Sequence, residues 1–145
     1  MEIVNRQASH NYNILETYET GIVLTGTEIK SIRNGKCNIK DSYGIIKNNE
    51  IYLLNSHISY YEQGNVFNHD ELRDRKLLLH KKEILKLKNK VEMDGYTLIP
   101  LKIYFKNRRA KVLLGLCSGK KNYDKKQALK ERDIQREMEK STKFR

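Results

Sequence analysis

The stretch TLIPLKIYFKNRRAKVLLGL, Thr97 to Leu116, alternates apolar and polar side chains on either side of a short basic break. Leu101, Ile103 and Phe105 fall on one side of an extended chain, with Lys102 and Tyr104 on the other. Beyond the break, Ala110, Val112, Leu114 and Leu116 repeat the period of two. The spacing predicts two strands joined by a turn over Lys106 to Arg109. Pro100 has no N–H to offer a ladder, so its strand is expected to be an edge or to carry a bulge there.

Working outward, YGIIKNNEIYLL (Tyr43 to Leu54) sets Asn48-Asn49 between two apolar runs. Asn tolerates the left-handed backbone that a two-residue hairpin turn demands, so a second hairpin is predicted. YNILETYETGIVL, Tyr12 to Leu24, is rich in β-branched and aromatic residues and reads as one bent or interrupted strand. RKLLL, from Arg75, reads as a further strand feeding a helix over HKKEILKLKN. In that helix His80 and Glu83 stand as a loose capping box, Ile84, Leu85 and Leu87 form an apolar side, and Asn89 ends it. An earlier helix of about two turns is predicted over TEIKSIRNG, closed by Asn34-Gly35. Short strands with two or three short helices between them predict a mostly β fold, a closed antiparallel barrel of the oligonucleotide-binding (OB) type.

The chain has 145 residues, enough for one domain, with the apolar residues gathered into residues 1–118. At Ser118-Gly119 the composition shifts. Residues 119–145 carry ten Lys and Arg against five Asp and Glu, with good helix formers but no apolar stripe wide enough to dock on a core. A helix without such support is marginal in water, so this tail is expected to order on an anionic partner. Subtracting it leaves a body with net charge near +6, so the excess of +11 is spread over both parts. A pI near 9.6 points to a polyanion, nucleic acid ahead of an anionic membrane surface. No apolar run reaches the ~20 residues of a membrane span, and the N-terminus lacks a secretory pattern, so a cytoplasmic protein without a membrane partner is expected.

Cys37 and Cys117 show no CxxC, and His10, His57, His69 and His80 show no metal-ligand spacing. Buried free thiols and no metal are expected. Ser9 and His10 are adjacent with no third partner in view, and GTEIKSIRNGK lacks phosphate-loop spacing, so no catalytic residues are assigned and no cofactor is expected. Basic residues interleaved with aromatics offer a different chemistry. Asn5, Arg6, His10 and Tyr12 cluster near the start, Lys30, Arg33 and Lys36 recur at helical spacing, and Arg73, Arg75 and Lys76 precede the second helix. Lys and Arg can fix phosphates while Tyr and His stack on exposed bases. A solvated charged face is the competing reading for any one of these cations.

The runs NRQASHNY, ETGIVLTGTEIKSIRNGK, DSY, NHDELRDRKLLLHKKEI, GYTLIPLKIYF and GKKNYDKK, in this order, resemble the bacterial SsrA-binding (small protein B) family over essentially the whole chain. The resemblance implies an OB-like barrel that cradles the tRNA-like part of transfer-messenger RNA. It implies too a basic tail, disordered alone, that becomes helical in the vacant mRNA channel near the small-subunit decoding centre of a stalled ribosome. There the family licenses resumption of translation on a tag-encoding segment, as a non-enzymatic adaptor, and a monomer is expected. By motif, Asn5, Glu19 and Leu78 match positions tied to the tRNA-like RNA. Glu19 has a structural alternative, since a carboxylate repels phosphate unless it accepts bonds from a base or ribose, or pins a neighbouring Arg. Gly119, Lys120, Lys121, Asp124, Lys125 and Lys126 match the ribosome-binding tail motif, and Lys130 and Arg132 extend it. The family usually reads Asp-Lys-Arg where this chain has Asp124-Lys125-Lys126, which keeps the charge but loses a bidentate fork. A structural ribosomal protein and an RNA-processing enzyme are the competing readings.

Overall fold

The computed structural model describes residues 2–119, and within them the side chains of all but residues 64–66. The fold is mostly β with three α-helices. The predicted strands around the basic break are β8 (Thr97–Lys106) and β9 (Arg109–Gly119). Lys106 pairs with Arg109, so the turn is only Asn107-Arg108, and both adopt positive φ (51° and 67°). With both central residues at positive φ, such a turn has the twist that matches the right-handed twist of the strands it joins. The Asn48-Asn49 hairpin forms in the same way between β4 (Tyr43–Lys47) and β5 (Glu50–Leu54), with φ of 52° and 63°.

Pro100 sits at a bulge, where pairing with β9 jumps from Pro100↔Leu114 to Lys102↔Leu113. The extra residue, Leu101, therefore does not share the Ile103 side as strict alternation predicts. It packs instead with Ile99, Ala8 and Cys117 in a small second cluster, while Ile103 and Phe105 face the main core. β9 has no such break against this face, and Ala110, Val112, Leu114 and Leu116 all reach the main core as their period requires.

The strand over YNILETYETGI, β2 (Tyr12–Ile22), is continuous but shifts register between Ile14 and Glu16. Before it come β1 (Glu2–Val4), paired with β8, and a one-turn helix α1 (Ala8–Asn11), neither of which the sequence reading marked. After it, α2 (Gly26–Arg33) starts one residue before the predicted Thr27 because Thr25 is its cap. The Thr25 hydroxyl accepts from the Glu28 N–H, and the Thr25 N–H donates to the Glu28 carboxylate at 2.9 Å. Gly35 closes the helix end at φ 74°. β3 (Cys37–Asn38) and β6 (His57–Ile58) form a small separate pair. A 3-10 helix over Glu62–Phe67 precedes β7 (Arg75–Leu78) and then α3 (Lys81–Asp94).

α3 corrects three details. It runs past Asn89 to Gly95, whose φ of 72° supplies the left-handed stop. His80 makes no side-chain cap; its carbonyl alone accepts from the Glu83 and Ile84 amides. Leu85 points outward, and the buried stripe is Ile84, Leu87 and Val91.

Hydrogen-bonded neighbours in the large sheet run β1-β8-β4-β5-β7-β2-β9, and β9 pairs again with β8. Both edges of β8 and of β9 are thus hydrogen-bonded to neighbouring strands. Cys117 is buried and Cys37 half-buried, both free, and burial pushes their thiols up to about 11 and about 12. Among the described residues no helix is long and apolar enough to cross a membrane.

Candidate nucleic-acid interface

The predicted basic group before α3 is organised by an acid on another element. Glu28 lies in the first turn of α2 with its side chain fully buried. Arg75 of β7, also fully buried, donates from Nε to Glu28 Oε2 at 2.9 Å, and its remaining N–H groups reach Ser56 and the carbonyls of Asp70 and Glu71. Arg73 clasps the same carboxylate at 2.6 and 3.1 Å and reaches the Val23 carbonyl. Burial pushes the Glu28 carboxyl up, but the two guanidinium groups and the Thr25 amide outweigh it and hold it below its ordinary value. Its hydrogen bond to Glu28 likewise raises Arg73. Arg75 is therefore corrected from an RNA contact to a buried tie: every donor is spent and none meets solvent. Arg73 shows only an outer edge, about one-third exposed. Lys76 pairs with Glu50 at 3.4 Å.

The motif NHD serves the same scaffold. The Asn68 side chain brackets the backbone of Tyr61, accepting from its N–H and donating to its carbonyl. Buried His69 meets the Ile58 carbonyl through Nε2 at 2.8 Å and the Thr27 hydroxyl through Nδ1 at 2.9 Å. A carbonyl can only accept, so Nε2 carries a proton, and in the neutral ring Nδ1 then accepts from the Thr27 hydroxyl.

On α2, Lys30 and Arg33 are exposed, lying over the rings of Tyr61 (5.5 Å) and Phe105 (4.6 Å). Lys36 is corrected from the helix face: the helix ends at Arg33, and the Lys36 amide turns back to the Ser31 carbonyl. At the other end of β2, Arg6 and His10 are exposed, and Tyr12 is half-buried opposite Gly119. Asn5 is nearly buried, and its amide bridges the carbonyls of Pro100 (3.0 Å) and Ile39 (3.3 Å). Replacing it by Ala takes a buried donor from the Pro100 carbonyl at the bulge and from the Ile39 carbonyl, which keeps only the Ser42 N–H, and is expected to cost about 1–3 kcal/mol. Chemical denaturation measures this directly. A loss of RNA affinity without a loss of stability would instead mark Asn5 as a direct contact.

Glu19 and Leu78, far apart in sequence, come together. They line one cavity of about 380 Å³ with Gly21, His80, Glu83 and Lys111. Glu19 is held from both sides, its Oε2 accepting from the Tyr104 hydroxyl and its Oε1 from Lys106 Nζ at 3.5 Å. The Tyr104 hydrogen bond keeps the Glu19 carboxyl below its ordinary value. Burial and Glu19 together push the Tyr104 phenol up to about 12. Gly21 leaves the floor open, since a Cβ there would stand 3.3 Å from Leu78. Tyr104, Lys106, Arg108, Arg109 and Lys111 were not singled out from the sequence as site residues. The one signal was the basic break itself, which reads equally well as a polar turn.

Gly119, expected as the first tail residue, is the last of β9. Lys120, Lys121, Asp124, Lys125, Lys126, Lys130 and Arg132 lie outside the described residues.

Comparison with known proteins gives a consistent result. The family model described as SmpB protein matches residues 2–144. An SsrA-binding protein of Ligilactobacillus salivarius is 57% identical over 139 residues, covering 96% of this chain and 90% of the relative. One from Staphylococcus aureus is 58% identical over 141 residues, covering 97% and 92%. A solved structure described as "tmRNA-SmpB: a journey to the center of the bacterial ribosome" contains a chain 51% identical to this one, with a TM-score of 0.71 over 88% of this chain and 94% of that one. With the family model matching nearly end to end and relatives well over half identical across almost their whole length, the chain belongs to the SmpB family.

Proposed function

We infer that this chain is an RNA-binding adaptor of trans-translation: it binds the tRNA-like domain of transfer-messenger RNA and delivers it to stalled ribosomes. The observation that carries this reading is the 51% identity to a chain of the tmRNA-SmpB structure over 88% of this chain. In this reading the sheet is a closed OB-like barrel, supported by the return of β9 to β8. The exposed Arg6, His10, Lys30, Arg33, Lys36 and Leu78, with Tyr12 and the pinned Glu19, carry the RNA contacts, and Asn5 acts by holding the bulge at Pro100. Residues 119–145 form the tail that works at the decoding centre and in the mRNA channel. The protein acts in the cytoplasm as a monomer, without catalytic residues, cofactor or metal.

The test is a titration of the full chain against transfer-messenger RNA with bulk tRNA as competitor. Selective retention of the longer RNA is expected. Equal competition by bulk tRNA would sink the adaptor reading, and cleavage of the added RNA would point to a processing enzyme. The affinity should fall linearly on a log–log plot against salt, because each phosphate neutralised releases condensed counterions. A flat line would remove phosphate contacts as the main contribution.

A further inference from the structure

A separate cavity of about 280 Å³ lies on the outer face of the β4–β5 hairpin, lined by Ile45, Lys47, Asn48, Tyr52, Leu54 and Asp74. It shares no residue with the Glu19 cavity, and none of the candidate RNA contacts lines it. Strand pairing builds the face: Tyr43↔Leu54, Ile45↔Tyr52 and Lys47↔Glu50 point one way, while Ile51 and Leu53 between them are fully buried in the core. Ile45, Tyr52 and Leu54 are half-buried, and Tyr43 beside Leu54 is exposed. The cavity falls just below the ~300–1,000 Å³ of small-molecule pockets, so it suits one or two side chains better than a whole ligand.

The two ends of this apolar surface differ in charge. Lys47, the last residue of β4, and Asp74, just before β7, are both exposed, and among the described residues neither makes an ion pair or a hydrogen bond. The nearby Glu50 is already held by Lys76 at 3.4 Å and Lys81 at 4.0 Å. Because Leu53 pairs with Arg75, Asp74 stands beside Leu54, in the row of Tyr43. Lys47 is four residues along β4 from that row, about 13 Å at the rise of a strand. The surroundings are acidic as well. Residues 41–74 hold six Asp and Glu against two Lys and Arg, one of which, Arg73, is bound to Glu28. The whole chain has 29 basic and 18 acidic side chains, so its positive excess lies elsewhere. A phosphate backbone is disfavoured here, and it brings no cation for Asp74.

We propose that this face docks an extended segment of a partner protein, with a basic side chain on Asp74, an acidic one on Lys47, and an apolar one between them in the cavity. In an extended chain residues i, i+2 and i+4 share one side and span about 13 Å, which matches the spacing of the two rows. The length and freedom of Arg and Glu side chains cover the sideways offset between β4 and β7. A segment with the same charge at both ends sets like charges together at one corner, so the face selects for mixed sign. The proposal stands apart from the adaptor reading and adds a protein partner to it.

The test is an NMR titration of isotope-labelled full-length protein with the blocked peptide acetyl-Arg-Thr-Val-Thr-Glu-amide. The same peptide with Glu at both ends, or Arg at both ends, serves as the control. Shifts centred on the amides of Ile45, Tyr52, Leu54 and Asp74 are expected. The mixed peptide should bind about fivefold more tightly than either control, the upper value for one exposed ion pair. Asp74→Lys should make the double-Glu peptide the tightest of the three, and Lys47→Glu should do the same for the double-Arg peptide. Both substituted side chains are exposed, so neither change removes a core contact, and each variant tests the proposal independently of the other. Absence of shifts at these amides with millimolar peptide, equal binding of the three peptides, or an order that the variants leave unchanged overturns the proposal. Displacement of the peptide by a short RNA duplex would make the face an RNA surface. Movement of the same amides on dilution without peptide would give it to a second copy of this chain. Either of these results also overturns the proposal, and both leave the adaptor reading intact.

Discussion

Glu28→Ala is expected to destabilise the protein by about 3–5 kcal/mol, the range for removing one partner of a fully buried ion pair. The effect is large because the acid is shared. Its loss strands the buried Arg75 guanidinium without a counterion and releases Arg73 from its chelate. It also removes one half of the capping box that starts α2. Three elements are tied at this one carboxylate: α2, β7 and the loop before β7. Urea denaturation of the variant checks the size of the effect, and a change below about 1 kcal/mol would mean that water had replaced the carboxylate. The pH dependence has a definite sign. In the fold the Glu28 carboxyl titrates below its ordinary value of 4.5, so the native state binds a proton less readily than the unfolded chain does. Its stabilisation is complete above about that value and is lost as the pH falls towards the depressed one. Glu28→Gln should therefore unfold with a weaker dependence on pH between neutrality and this acid window than the wild type.

Replacing Asp124, Lys125 and Lys126 together by Ala is expected to abolish tagging on stalled ribosomes while changing affinity for transfer-messenger RNA by no more than a few fold. Residues 2–119 carry the candidate RNA contacts described above, and the tail alone carries a net of about +5 in 27 residues without an apolar docking stripe. Two charged segments that serve different RNA surfaces should fail separately. Tagging in a reconstituted translation system and RNA affinity by titration read out the two functions on the same protein. A parallel loss of both would make the tail part of the RNA clamp.

Much of the fold is legible in the sequence because its strands obey short-range rules. β9 alternates cleanly, one hairpin turns on Asn48-Asn49, residues that accept a left-handed backbone, and the other turns within the basic break that holds Asn107-Arg108. The errors lie where a tertiary contact overrides the local pattern. Strict alternation puts Leu101 beside Ile103, but the bulge beside Pro100 moves it to the other face. Helical periodicity groups Leu85 with Ile84, but the surface that α3 meets accepts Ile84, Leu87 and Val91. β1 and α1 are too short to leave a periodic signal at all.

The site divides along the same line. Family motifs and net charge were enough to name a basic RNA-binding adaptor, since both are properties of the chain as a string. Whether a given cation is free to meet a phosphate is not such a property. Arg75 and Arg108 look alike in sequence, yet one is enclosed around Glu28 from 47 residues away and the other stands open at a hairpin tip. Glu19 and Leu78 share a cavity only because β2 and β7 pair through Gly21↔Leu78. The longer strands, the two hairpin turns, the family and the sign of the partner are legible in the chain alone. The tertiary structure decided which charges were consumed internally, because that depends on which distant acid the fold brings within about 3 Å of each base.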